Sequence, residues 1–512
     1  MKSRLLSIMA ACLLWSCELD LQPLGNANGE QVWGTALGCE QMVAGAYARL
    51  RNIIIHERPM YLYGDLPSQM VFRHNHWIAQ YATEGTYNGH YLNGWWLDWS
   101  PYFKVIATAN TLLNHINDVP HEQFAASGED GLTRRNRLRG EAYFLYAYTY
   151  FYMTRIYGDL PLVTESIENS EQAIQNGNTI GRRQSPEKEV LEHVLKTVDA
   201  AIALLPLDKP GTKTWAVRAD KGAAMNLKAH ILMWLAKDME NGSQQYIDYL
   251  TEAEQLLDLV INHSNRSMVD YNNPASVTGM FAGKSTEGIF ELNVSVADNE
   301  SFHINYGEFA LHVTTYRCVD RQTLQNLGSF MVIDPKAASL YPVTDKRRAL
   351  FFQNFGNRTD DAGAPPFLLK YAVNLVDDAS KPGRYFANAN VLLFRWSESV
   401  LLRAEALCKL GRYGNARALL NTMRERAGIG IFIGADSELA VEIFNERARE
   451  LAGEGHSAFD RIRNAYWEGC DWAGNPERIA KKGYYWPVDQ NRLISANPDL
   501  VQNPWWTGKM NN

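Results

Sequence analysis

Eight segments of this chain repeat apolar residues at intervals of three and four, and that periodicity commits the scaffold to amphipathic helices packed on one another. Ser100 and Pro101 supply an N-cap and a first-turn proline to a helix whose apolar face runs Val105, Ile106, Ala109, Leu112, Leu113 and Ile116. A second helix starts near Thr133, runs through Leu138, Ala142, Leu145, Thr149, Tyr152 and Ile156, and stops at Gly158 with Pro161 beyond. Ser185-Pro186 opens a third along Val190, Leu191, Val194, Leu195, Val198 and Ile202. Further helices are expected at about 221–237, 247–262, 395–410, 413–427 and 437–452. The turn Leu410-Gly411-Arg412-Tyr413-Gly414-Asn415-Ala416 joins two of them like a tetratricopeptide repeat, with glycine allowing close approach and Tyr413 and Ala416 filling the interface. Trp234 to Ala253 is a looser version, and generic antiparallel helix pairs are the alternative reading of both.

Long stretches without this period, about 56–98, 263–390 and 464–512, are too extended for idle loops in a compact chain and predict a second, loop-rich layer on the helices. A short strand is expected at Ile289 to Leu292. The fold class is therefore mostly α, with tetratricopeptide-like helix pairs, a loop-rich second layer and minor β. A net charge of −7 over 512 residues, with no basic block, argues against a nucleic-acid groove, which draws its affinity from Lys and Arg against phosphates.

At the N-terminus, Lys2 and Arg4 precede an apolar run from Leu5 to Trp15, too short to span a membrane and suited to a signal peptide over residues 1–16. Leu14-Trp15-Ser16-Cys17 resembles a bacterial lipobox, which makes Cys17 the expected lipidation site; Cys12 is a weaker candidate and an ordinary cleaved secretory signal the alternative. Residues 17–512 are then expected to form one domain, with a part over 17–220 carrying an aromatic region and the first helices, and a second part over 221–512. Cys39, Cys318, Cys408 and Cys470 are far apart and form no C-x-x-C pair, and Cys408 lies in an apolar helical run expected to be core.

Between Tyr61 and Phe103 the chain places 12 aromatic residues and one basic residue, Arg73. Aromatic faces stack on the C–H faces of sugar rings while amide side chains bond the hydroxyls; single-stranded nucleic acid would need basic residues beside the rings. Trp77, Tyr81, Tyr87, Tyr91 and Trp95, with Asn93 among them, are the candidate ligand contacts, whereas Trp99 and Tyr102 at a helix start are expected to be core. No H-E-x-x-H, G-x-S-x-G, Walker or G-x-G-x-x-G motif is present, and His74-Asn75-His76 lacks further ligands nearby, so neither cofactor nor metal is expected. Asp65 and Glu84 lie within the aromatic window and are the acids on which a glycoside-hydrolase reading is tested. The run from Glu446 to Gly455 places Glu446 and Glu450 on one helical face with Arg447 and Arg449 close by, and followed by Phe459-Asp460-Arg461-Ile462-Arg463 it reads as a structural pin between the last helices and the loop layer.

Several of these pieces, in order, resemble the SusD/RagB family of outer-membrane nutrient-binding lipoproteins in Bacteroidota. They are Leu19-Asp20-Leu21-Gln22-Pro23 after the lipobox, Arg139-Gly140-Glu141-Ala142-Tyr143-Phe144-Leu145 leading to Tyr157-Gly158-Asp159-Leu160-Pro161, Arg395-Trp396-Ser397-Glu398 through Ala406, Arg424-Glu425-Arg426-Ala427-Gly428, the Glu450 to Gly455 run, Trp486-Pro487 and Gln502-Asn503-Pro504. Glu18 and Asp20 behind Cys17 are similar to the surface-export signal of such lipoproteins. The resemblance implies a lipid-anchored, surface-exposed outer-membrane protein without catalysis, which captures oligosaccharide or polysaccharide and delivers it to a SusC-like TonB-dependent transporter. Capture of a peptide or glycoprotein fragment is the rival within the family, and a secreted glycoside hydrolase the rival outside it. The family's Arg139, Glu141 and Glu450 are implied to be structural, and Ser68-Gln69 stand where relatives often carry an aspartate.

Overall fold

The computed structural model describes residues 33–57, 60–74, 97–126, 128–166, 182–301, 331–357, 366–371, 374–377, 379–380, 385–470 and 475–509. In chain order the elements that matter here are α1 (Ala36–Asn52), α2 (Met60–Gly64), β1 (Phe72–His74), α3 (Ser100–His115), α4 (Gly131–Tyr157), α5 (Glu187–Leu204), α6 (Lys221–Ala236), α7 (Gln244–His263) and α8 (Pro274–Ala282). They continue through β2 (Gly288–Leu292), β3 (Met331–Ile333), β4 (Phe352–Gln353), β5 (Phe367–Leu368), β6 (Leu375–Asp377), β7 (Tyr385–Ala387) and β8 (Val391–Arg395) to α9 (Trp396–Lys409), α10 (Tyr413–Ala427), α11 (Asp436–Glu450), α12 (Ser457–Asn464) and α13 (Pro476–Ala480). Helices adjacent in sequence pack side by side, α1 on α3, α3 on α4, and so on through α7, which meets α9; α10 and α11 then pack on α9. The expected helical scaffold with minor β is what the chain forms.

Local chemistry accounts for most helix ends. Asp130 caps α4 by accepting the Thr133 N–H at 3.0 Å, and Gly158, with φ +75°, ends it. Two expected caps are supplied by other residues. Ser100 lies inside α3, and Asp98 Oδ1 accepts its N–H at 2.8 Å; Glu187 at the start of α5 is capped across space by Asp159 Oδ1, at 2.8 Å. The Leu410 to Ala416 turn also differs from the expectation. Gly411 has φ +73° and open space around its α-carbon, so it serves the turn conformation rather than close packing, and Tyr413 is 40% exposed while Ala416 is buried.

Helix α4 has little amphipathic contrast because nearly every side chain from Gly140 to Tyr157 is buried, as expected for a helix enclosed on all sides. Its tyrosines are core residues with placed hydroxyls: Tyr150 donates to Pro161 O at 3.1 Å and accepts the Val163 N–H, and Tyr146 donates to Val163 O, so the chain beyond Gly158 is folded back on the helix. Tyr148 meets the rings of Phe290 and Phe394 edge-on, carrying the core from α4 to the antiparallel pair β2–β8. A second apolar cluster fills the space among α6, α7, α9, α10 and α11. Cys39, Cys408 and Cys470 are buried free thiols. Among the described residues no helix is long and apolar enough to cross a membrane.

Candidate functional site

Trp77, Tyr81, Tyr87, Tyr91, Asn93, Trp95, Glu84 and Cys17 lie outside the described residues, as does Cys318. What is described is the frame that holds the aromatic segment. β1 pairs antiparallel with β3, Phe72 opposite Ile333 and His74 opposite Met331, so the chain enters the aromatic segment beside the point where it returns from residues 302–330. That partnership was not legible in the sequence, since neither three-residue strand carries a period. At the far end, Leu97 O accepts the Asp489 N–H at 3.2 Å, and Trp99 packs edge-on against Tyr157. Trp99 and Tyr102 are buried, as expected.

The entry side is clamped by Asp65. Its two carboxylate oxygens accept the N–H groups of Gly453 at 3.3 Å and Gly455 at 2.9 Å, joining the start of the aromatic region to the Glu450–Gly455 run. Gly64 makes the approach possible: a β-carbon there would sit 2.1 Å from Gly455 O. Burial pushes the Asp65 carboxyl up to about 7, against the downward pull of the Gly455 and Gly453 N–H groups and of Lys370. A raised carboxyl suits a general acid, but this one is 1% exposed and both oxygens are engaged by backbone. Asp65 is a clamp, and the hydrolase reading loses one of its two named acids.

Behind the clamp, the charges of the Glu446–Gly455 run form a buried network. Glu450 Oε1 accepts from Arg395 Nη1 and Arg426 Nη2, each at 2.8 Å, and from the Tyr271 hydroxyl, while Oε2 accepts from Arg347 Nη1 at 2.9 Å. Arg395 also holds Glu454 and Glu287, and Arg347 holds Asp345 and Glu446. Burial alone would raise the Glu450 carboxyl; Arg426, Arg395 and Arg347 more than reverse this and keep it well below the usual range. Lys370, buried between Glu454 and the Glu450 carbonyl, is brought down to about 8 by burial, partly offset by Glu454. Every charge here is enclosed and paired, so the network holds the β8–α9 junction to α11 and has no surface on which to meet a substrate. Glu141, held by Arg218 and Arg137, plays the same part in α4.

One open feature lies at this corner. A cleft of about 720 Å³ beside β4 and β5 is lined by Phe281, Arg348, Phe352 and Phe355, with the Arg348 guanidinium 4.9 Å from the centre of the partly exposed Phe355 ring. β5 touches β3, which places the cleft next to the roots of the aromatic segment. The Phe355 ring also packs against Tyr341 and Phe352, and Arg348 Nη1 donates to Tyr341 O at 2.9 Å, so ring and guanidinium hold each other in place at the cleft.

The fold defines a class: packed helix pairs carrying a second, loop-rich layer with minor β. Residues 365–506 match the model of the SusD family, and residues 34–233 match a SusD-like family described as starch-binding and associating with the outer membrane. The chain is 23% identical to SusD-like protein P38 of Formosa agariphila, with 97% of each chain covered. A crystal structure of a SusD homologue from Bacteroides thetaiotaomicron shares the fold with a TM-score of 0.75 and 25% identity, covering 93% of this chain and 99% of that one. A laminarin-binding SusD-like protein gives a TM-score of 0.68 at 19% identity over 92% of this chain and 99% of its own. This chain belongs to the SusD/RagB family.

Proposed function

We propose that this chain is a cell-surface, glycan-binding lipoprotein that captures oligosaccharide or polysaccharide and delivers it, without catalysis, to a SusC-like TonB-dependent transporter in the outer membrane. Residues 1–16 are its signal peptide, Cys17 carries the lipid anchor, and 17–512 act as one binding domain. The reading is carried by the aromatic-rich, base-poor segment of Trp77, Tyr81, Tyr87, Tyr91, Asn93 and Trp95, set in a chain whose family is described as starch-binding. The laminarin-binding relative supports a glycan over a peptide, and ring stacking supplies the affinity.

The test is a polysaccharide and peptide panel on the purified protein, read by calorimetry, with chromatography of the ligand after incubation. Binding of at least one glycan that is recovered intact is expected. Measurable peptide binding with no glycan binding would replace the ligand class, and release of shorter oligosaccharides would replace capture with hydrolysis.

A further inference from the structure

We propose that Asn241, in the turn between α6 and α7, is a self-modification site at which the folded chain slowly converts asparagine to a mixture of isoaspartate and aspartate. The reaction needs a side-chain amide, the backbone nitrogen of the next residue as nucleophile, and free approach of one to the other.

The turn supplies all three. Asn241 and Gly242 are both exposed, and neither the Asn241 amide nor the Gly242 N–H has a hydrogen-bond partner among the described residues. Gly242 has no side chain to shield its nitrogen, and no other atom lies within 4 Å of where a β-carbon would stand. Its φ of +83° suits the third position of a β-turn, closed here by the Ser243 N–H on Glu240 O at 3.1 Å. A backbone bond exposed in this way opens readily, which lets the peptide between Asn241 and Gly242 rotate and bring its nitrogen onto Asn241 Cγ.

Sequence alone does not select this place. Asn-Gly also occurs at Asn28, Asn88, Asn93 and Asn176, outside the described residues. Asp130-Gly131 could close the same ring, yet it is locked. Asp130 Oδ1 accepts the Thr133 N–H at 3.0 Å and Oδ2 the Thr133 hydroxyl at 2.5 Å, while a β-carbon on Gly131 would stand 1.9 Å from His121 O.

In the first step the Gly242 nitrogen bonds to Asn241 Cγ, the Cγ–Nδ2 bond breaks, and Nδ2 leaves as ammonia with the proton from the Gly242 N–H. Water then opens the cyclic imide. Opening at the main-chain carbonyl of residue 241 routes the chain through the side chain as isoaspartate; opening at Cγ gives aspartate. Either product adds a negative charge just ahead of α7, where the helix N-terminus favours it, and leaves the Ser243 side chain free to keep capping the Tyr246 N–H. Modified chains therefore stay folded and accumulate.

The inference does not rest on glycan capture. Purified protein is held at pH 8 and at pH 5, well below its melting temperature, and its peptides are mapped site by site by mass spectrometry with isoaspartate scored separately; a synthetic peptide of residues 237–245 sets the time scale. Asn241 is expected to gain the mass of deamidation with both products present, several-fold faster at pH 8, because base removes the Gly242 amide proton. Asp130 should stay unchanged, as should Asn415, which is exposed but lies within α10 and is followed by Ala416. Asn241 still intact after the synthetic peptide has converted, isoaspartate at position 130 as fast as at 241, a rate independent of pH, or aspartate without isoaspartate would each overturn the proposal.

Discussion

Replacing Glu450→Gln tests whether the buried network is a net source of stability, a question geometry alone leaves open because desolvating charges is costly. The amide keeps the shape and one acceptor. If its oxygen stays toward Arg395, Arg426 and Tyr271, its NH₂ must face Arg347 Nη1, donor against donor, where a 2.9 Å bond stood. None of the three arginines is left alone, since Glu287, Glu454, Asp345 and Glu446 remain. Removing one partner of a buried ionic cluster still costs about 3–5 kcal/mol. At about 2.1 cal/mol/K per residue, unfolding this chain as one unit carries an entropy of about 1 kcal/mol/K, so the melting temperature should fall by roughly 3–5 °C. Calorimetry at pH 7 reads this directly, with Glu468→Gln, an exposed side chain, as the control. The sign with pH is fixed. The folded-state carboxyl is held below its ordinary value of 4.5, so its contribution is full above that value and is lost as pH falls through the lower folded-state value. The gap between parent and variant should be constant near neutrality and close only in strong acid. A variant as stable as the parent, or more so, would show that desolvation outweighs pairing here and that the network confers no net stability.

Asp65 behaves oppositely. Its folded value of about 7 lies above the ordinary 3.8, so its favourable contribution is complete below 3.8 and is lost as pH rises through 7, at about 1.4 kcal/mol per pH unit over that interval. Asp65→Asn should remove that slope from stability measured by denaturant titration between pH 5 and 8, and parallel profiles for parent and variant would refute the assignment. Trp77→Ala or Trp95→Ala should weaken glycan binding by about 1–3 kcal/mol, taking the stacking magnitude known for bases, with little change in melting temperature; an equal loss of stability would assign those rings to the core. Cys17→Ser should abolish incorporation of labelled palmitate and release the protein from the membrane fraction, and retention of label would move the anchor elsewhere.

How much of this was legible depended on whether the physics was local. Helix α4 declared itself because its apolar period and its Gly158 stop all lie within one stretch of chain, and its tyrosines read as structural because they fall inside that period. Helix α1 escaped because its buried stripe, Cys39, Val43, Ala46 and Leu50, mixes small residues into a weak pattern. Strand β8 escaped because Val391–Arg395 is an apolar run joined directly to a helix, and a short buried strand cannot be told from a helical turn by period alone. Charge followed the same rule. The i,i+3 pair Glu446–Arg449 was readable, whereas the partners that matter to Glu450 come from positions 347, 395 and 426, and those of Asp65 from 453 and 455. A run of charge at helical spacing announces that charges are present; only the fold decides whom they answer. Arg218 Nη2, Glu291 Oε1 and Asn293 Oδ1 are the extreme case: they come from a turn, a strand and the loop after it, and what they share is a hydrogen bond unmet among the described residues, a property no residue has until the chain has folded around it.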